Sequence, residues 1–232
     1  MKTIDLKSQC PFSVSDNLKI KASSYDLNFD GAIIRYGSIS GFRATDLEVP
    51  FHVFLMNISN RDVTWNIQVE GKTEEIIMGP DQIFFDPANV PFSRYTADCY
   101  EFILVYIDPE KMISSARVDP EAISFEPIYN IWDPHLEFPF KLLLSEVQTG
   151  NLNGRGYIDH IVSLISLHFM NNYTIDHSGN LLRHIQGLTD EEIVNAVSYI
   201  KRNMPDDLKR DALIEDFYPA RISGNDYGSR KY

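Results

Sequence analysis

Tyr100-Glu101-Phe102-Ile103-Leu104-Val105-Tyr106-Ile107-Asp108-Pro109-Glu110-Lys111-Met112 is the stretch in which the hydrophobic period changes. Up to Ile107 it is an aromatic and β-branched strand. Asp108-Pro109 ends that strand and at once supplies an N-cap and a first-turn proline for a helix. Upstream, from about Ser24, short β-rich runs alternate with turn signals. Residues 32–36 end at Gly37, and 51–56 follow Pro50. Residues 63–69 alternate with period two into Glu70-Gly71-Lys72. Residues 75–78 lead to Gly79-Pro80-Asp81, and 83–85 lead to Pro87-Ala88-Asn89. Several short strands with no long helix between them predict an antiparallel sandwich or barrel.

Downstream of Asp108 the apolar residues recur at helical spacing. Asp133-Pro134 repeats the start signal and leads into Leu136, Phe140, Leu143, Leu144 and Val147 on one face. After a loop from Gly150 to Gly156, residues 157–172 place Ile158, Ile161, Val162, Ile165 and Phe169 on a second stripe. Thr189-Asp190-Glu191-Glu192 is a capping box that opens a third stripe of Ile193, Val197 and Ile200. The reading is an α+β chain: barrel over 1–108, helical hairpin over 109–175, linker over 176–188, a short helical segment over 189–217 and a tail over 218–232. The hairpin has too little apolar surface for a core of its own, so it is expected to pack on the barrel or on a second copy.

With 232 residues, 44% of them hydrophobic and 23% charged, the chain has the composition of a globular protein with a substantial core. No apolar run reaches the roughly 18–20 residues of a membrane span. Residues 1–10 lack the apolar centre of a signal peptide, so the cytoplasm is the expected compartment. Cys10 and Cys99 form no C-x-x-C motif and no disulfide framework. Acidic residues outnumber basic ones 33 to 21, for a net charge of −12. Phosphate-gripping proteins draw affinity from Lys and Arg, so the balance argues against nucleic-acid binding by this chain alone.

Several blocks, in order, resemble one family. Residues 82–92, Gln82-Ile83-Phe84-Phe85-Asp86-Pro87-Ala88-Asn89-Val90-Pro91-Phe92, are similar to the proline-centred turn of a cupin barrel, and Tyr106-Ile107-Asp108-Pro109-Glu110 to its closing strand. Asp133-Pro134-His135-Leu136 through Glu146, then Gly156-Tyr157-Ile158 through Tyr173, resemble the helical hairpin of AraC/XylS-type transcription regulators. Gly187-Leu188-Thr189 through Asn203 is similar to the entry of that family's DNA-binding domain. The resemblance implies a jelly-roll-type sensory barrel for a small-molecule effector, a hairpin that pairs two subunits, and helix-turn-helix units that read DNA. It departs after Leu208, where two such units would need on the order of eighty more residues. Residues 209–217 suit one short helix, and Tyr218-Pro219 stops it. The expectation is therefore a homodimeric sensory module whose DNA-binding part is lost or vestigial.

For chemistry, the strand pattern offers His52 alone where metal-binding cupins carry H-x-H, and Phe92 stands where a later ligand would be. No metal or other cofactor is expected. His160 and His168 lie eight apart on one helix, too far to share an ion, and His135, His177 and His184 fall in loops or linkers. There is no G-x-S-x-G elbow and no phosphate-binding glycine loop, so no catalytic residue is assigned. What remains is an aromatic-rich barrel. Arg35, His52, Trp65, Phe84, Tyr95 and Tyr106 are the candidate pocket residues, with Arg35 or Arg94 placed to clamp an anionic group. Ile158, Ile161, Ile165 and Phe169 either cover the barrel or meet their copies across a two-fold axis, and the resemblance favours pairing. The rival reading is a metal-independent cupin enzyme of epimerase or isomerase type. It would use His52 with Tyr95 or Tyr106 as acid and base.

Overall fold

Alternation along the strands decides the architecture, and it is visible in a computed structural model that describes residues 2–3, 17–24, 31–69, 71–116 and 123–175. The elements in chain order are β1 (Lys2–Thr3), β2 (Leu18–Ser23), β3 (Ala32–Glu48), β4 (His52–Asn57), β5 (Val63–Val69), β6 (Lys72–Met78), β7 (Ile83–Asp86), β8 (Phe92–Ile107), α1 (Pro109–Ala116), β9 (Ile128–Ile131), α2 (Pro134–Gln148) and α3 (Gly154–Tyr173). The linker, short helical segment and tail expected over 176–232 lie outside the described residues.

β3 and β8 pair antiparallel over almost their whole length, from Ala32↔Ile107 to Leu47↔Phe92. On its other side β8 is divided. Its C-terminal half pairs with β4, which continues to β7 and β9, whereas Arg94 and Tyr95 pair with β5, which continues to β6. The sheet thus folds into two leaves that share the β3–β8 ribbon and face each other. Trp65 of β5 lies 6.1 Å from Phe84 of β7 across the interior.

Two strands are longer than their hydrophobic pattern suggests. β3 does not end at Gly37 but continues through 37–41 to Glu48. Gly37 is there because β2 passes too close for a side chain: a Cβ would sit 2.5 Å from the Lys19 carbonyl oxygen. Gly41, at φ +79°, occupies a bulge between Ser40 and Phe42, a conformation glycine adopts without cost. β8 begins at Phe92 rather than Tyr100 because its first half turns polar Arg94 and Thr96 inward, which hides the alternation.

β4, β7 and the end of β8 are buried on both faces. Val53, Leu55, Phe84, Phe102, Leu104 and Tyr106 face the barrel interior. Phe54, Met56, Ile83, Phe85, Ile103, Val105 and Ile107 face outward and meet the helices. A strand covered on both sides reads as an unbroken apolar run, as 102–107 does. The expected boundary at 108 is crossed twice. β9 follows α1 yet pairs with β7, Ile83↔Ile131 and Phe85↔Ile128, and one apolar cluster spans sheet and helices.

The helix start signals act as read. Asp108 Oδ1 accepts from the Glu110 backbone N–H at 2.9 Å and opens α1. Asp133 Oδ1 accepts from that of His135 at 2.8 Å and opens α2, with Pro134 in the first turn. α3 starts at Gly154, three residues before the expected point. Its stripe requires a correction. Ile158, Ile161, Ile165 and Phe169 are at most 1% exposed within a single chain. Phe169 meets Phe54 edge-on at 5.0 Å and Phe85 at 4.2 Å. Covering the barrel satisfies this face, so these four residues are core rather than a subunit contact. Among the described residues no helix is long and apolar enough to cross a membrane.

Candidate functional site inside the barrel

The interior is not purely apolar. Arg94, 2% exposed, enters from the first half of β8, and Asp86, also 2% exposed, enters from the last position of β7. Arg94 Nη1 donates to Asp86 Oδ1 at 3.1 Å, and Nη2 lies 2.9 Å from Oδ2 without the alignment of a hydrogen bond. Phe92, Trp65 and Phe84 surround the guanidinium, with ring centroids 4.5, 5.1 and 6.0 Å away. Cation–π attraction offsets part of the desolvation of such a group. Burial pushes the Asp86 carboxyl up from its ordinary range, and Arg94 pulls it back. Burial likewise raises the hydroxyl pKa of Tyr100, opposed by Arg94, and takes that of Tyr129, 5.0 Å from Phe84, up to about 12.

Among the described residues Trp65 Nε1, Arg94 Nε, Arg94 Nη2 and Arg35 Nη1 are buried donors with no hydrogen-bond acceptor. Arg35, 8% exposed, pairs with Leu104 on the inner face, and its guanidinium lies 6.0 Å from the centre of the Tyr106 ring. An unsatisfied buried N–H costs about 1–3 kcal/mol, so Arg94 and Trp65, whose side chains pack 5.1 Å apart, mark a place for an acceptor.

Of the six residues nominated from the sequence, Arg35, Trp65, Phe84 and Tyr106 line the interior and two do not. His52 shares the outward parity of Phe54. Its ring stacks on Phe85 at 5.5 Å and packs on Phe125 at 4.4 Å, between sheet and helix layer. Its Nδ1 accepts from the Ala88 backbone N–H at 3.2 Å, which places the proton of the neutral ring on Nε2. Burial lowers its pKa to about 4, against a smaller opposing pull from Asp108. Tyr95, 40% exposed, points out of the barrel and packs against Arg43. The acid–base pairs nominated for an enzyme, His52 with Tyr95 or Tyr106, are therefore not brought together. Asp86 and Tyr100 were not nominated. The parity of Phe84-Phe85-Asp86 held the signal for Asp86, once Phe84 is taken as inward. Among the described residues no three His, Cys, Asp or Glu side chains are grouped to hold a metal ion.

No family model matches the chain, and no curated protein matches it. Solved structures similar to it include a cupin superfamily protein from Desulfitobacterium hafniense, with 10% identity, a TM-score of 0.32, and 40% of this chain and 80% of that one covered. Another is the cupin domain of an XRE family transcriptional regulator from Enterobacter cloacae, with 14% identity, a TM-score of 0.30, and coverage of 40% and 99%. A third is a proposed mannose-6-phosphate isomerase from Ralstonia eutropha, with 18% identity, a TM-score of 0.32, and coverage of 40% and 87%. The chain's own described residues form a barrel of two facing leaves, antiparallel apart from the short parallel pairing of β1 with β3, followed by helices, an α+β fold.

Proposed function

We propose that the chain is the effector-sensing part of a transcription regulator of AraC/XylS type, a barrel that takes a small molecule and passes its occupancy to the helical hairpin. The observation that carries this reading is the set of buried interior donors without acceptors at Trp65, Arg94 and Arg35. A route from barrel to hairpin supports it. In β7, Phe84 and Asp86 face the interior, while the intervening Phe85 touches Phe169 of α3. A shift of β7 by a fraction of an ångström on binding is thereby felt in the hairpin. The acidic balance of the chain suits control through association with another copy or another subunit better than a direct grip on DNA. Such association would use a surface other than the four buried residues of the α3 stripe.

The test is a thermal-shift screen of small metabolites on the whole chain, followed by hydrogen exchange of α2 and α3 with the best binder. The reading expects a stabilising compound that alters exchange in α3, and no sequence-specific complex in a low-salt electrophoretic shift assay. Chemical turnover of the bound compound, or a tight sequence-specific DNA complex formed by this chain alone, overturns it.

A further inference from the structure

Building on the effector-site reading above, we infer that the occupant of the barrel is a small organic monocarboxylate, received by the unused edge of the Arg94 guanidinium beside the Trp65 indole N–H. A guanidinium has two edges that match a carboxylate: the pair of terminal nitrogens, and Nε with one terminal nitrogen. Asp86 faces the first through Nη1 at 3.1 Å and Nη2 at 2.9 Å. On the second edge, Nε is buried with no acceptor among the described residues. Trp65 packs 5.1 Å from the same guanidinium, and its Nε1–H is equally unsatisfied. A carboxylate on that edge takes two donors from Arg94, beside the Trp65 ring that packs against the same guanidinium.

Charge selects a monoanion. Arg94 is balanced by Asp86, whereas Arg35 on the same inner face has no carboxylate within ion-pairing distance among the described residues. The described interior therefore carries one uncompensated positive charge. A monocarboxylate brings the described interior to overall charge balance without requiring contact with Arg35; a neutral ligand leaves the excess, and a dianion reverses it. Packing selects an organic body. Phe84, Phe92 and Trp65 wall the guanidinium, so the extra oxygens of an inorganic phosphate would be buried against rings.

Titration calorimetry on the whole chain tests this with acetate, butyrate and phenylacetate against phenylacetamide, inorganic phosphate and glucose. At least one carboxylate is expected to bind, phenylacetate at least about 30-fold more tightly than its neutral amide, with phosphate giving no heat. Trp65→Phe and Arg35→Gln are each expected to weaken the carboxylate about 10-fold with an unchanged circular dichroism spectrum. Arg94→Lys, which keeps the charge and removes the fork, is expected to weaken it 10- to 100-fold. Equal binding of phenylacetamide, preference for phosphate, or no heat from any of the three carboxylates overturns the inference. Glucose binding with no carboxylate binding overturns it too while sparing the effector-site reading, which the thermal-shift screen judges separately.

Discussion

Asp86 and Arg94 form an ion pair that joins the two leaves of the barrel: one side chain comes from the end of β7, the other from the start of β8, and they meet at 2.9 and 3.1 Å with almost no exposure to solvent. A buried pair of this kind is a poor source of net stability, because desolvation consumes most of the attraction. Its value lies in placement, since it holds the guanidinium with one edge facing Asp86 and the other toward the aromatic cage.

Removing one partner leaves the other charged and buried. Asp86→Asn is expected to cost about 3–5 kcal/mol in urea unfolding, and the double replacement Asp86→Leu with Arg94→Met much less than the sum of the single changes. A double-mutant cycle with a coupling near zero would show that the pair is not formed in solution.

His52 supplies a pH dependence with a definite sign. Its folded pKa of about 4 lies below the unfolded value of 6.5, so the folded state binds the proton less readily. Full stability holds above pH 6.5 and is lost as pH falls from 6.5 towards 4, by roughly 3 kcal/mol in all. Urea midpoints at pH 7 and pH 4.5 measure this. In His52→Phe the ring contacts with Phe85 and Phe125 are kept and that part of the pH dependence is expected to vanish.

Asp133 acts in the same direction, but over a lower pH range. Burial pushes its carboxyl up, but hydrogen bonds from His168, Tyr173 and the His135 backbone outweigh burial and hold it below the ordinary carboxylate range. Stability from this group is present above the unfolded value of 3.8 and is lost as pH falls through the lower folded one. Asp133→Asn keeps a competent helix cap. It is expected to cost about 1–3 kcal/mol at pH 7 and progressively less below pH 4, read from urea unfolding at the two pH values.

Phe169→Ala removes a ring held between Phe54, Phe85 and Tyr173. A loss of about 3–5 kcal/mol is expected, at every protein concentration, because the contact lies within one chain. A loss that shrinks as concentration rises would instead return this residue to a subunit interface.

Sequence and tertiary structure divide by the range of the forces involved. Period, caps and turns are local. Alternation in 63–69, the Asp108-Pro109 and Asp133-Pro134 starts, and the stripes of α2 and α3 were legible because each depends on residues within a turn or two of one another. They were enough to determine an antiparallel barrel followed by helices. Which face of a doubly buried strand looks inward is not local. β4 reads His52-Val53-Phe54-Leu55-Met56-Asn57 with no polar face to orient it, so only the packing of α3 on Phe54 and of Trp65 on Phe84 decided that His52 lies outside and Leu55 inside. The same holds for Gly37, whose meaning came from a strand 18 residues earlier in the chain, and for Arg94, which the sequence offers as an anion clamp but whose partner Asp86 is brought opposite it only by a fold that closes two leaves on one another.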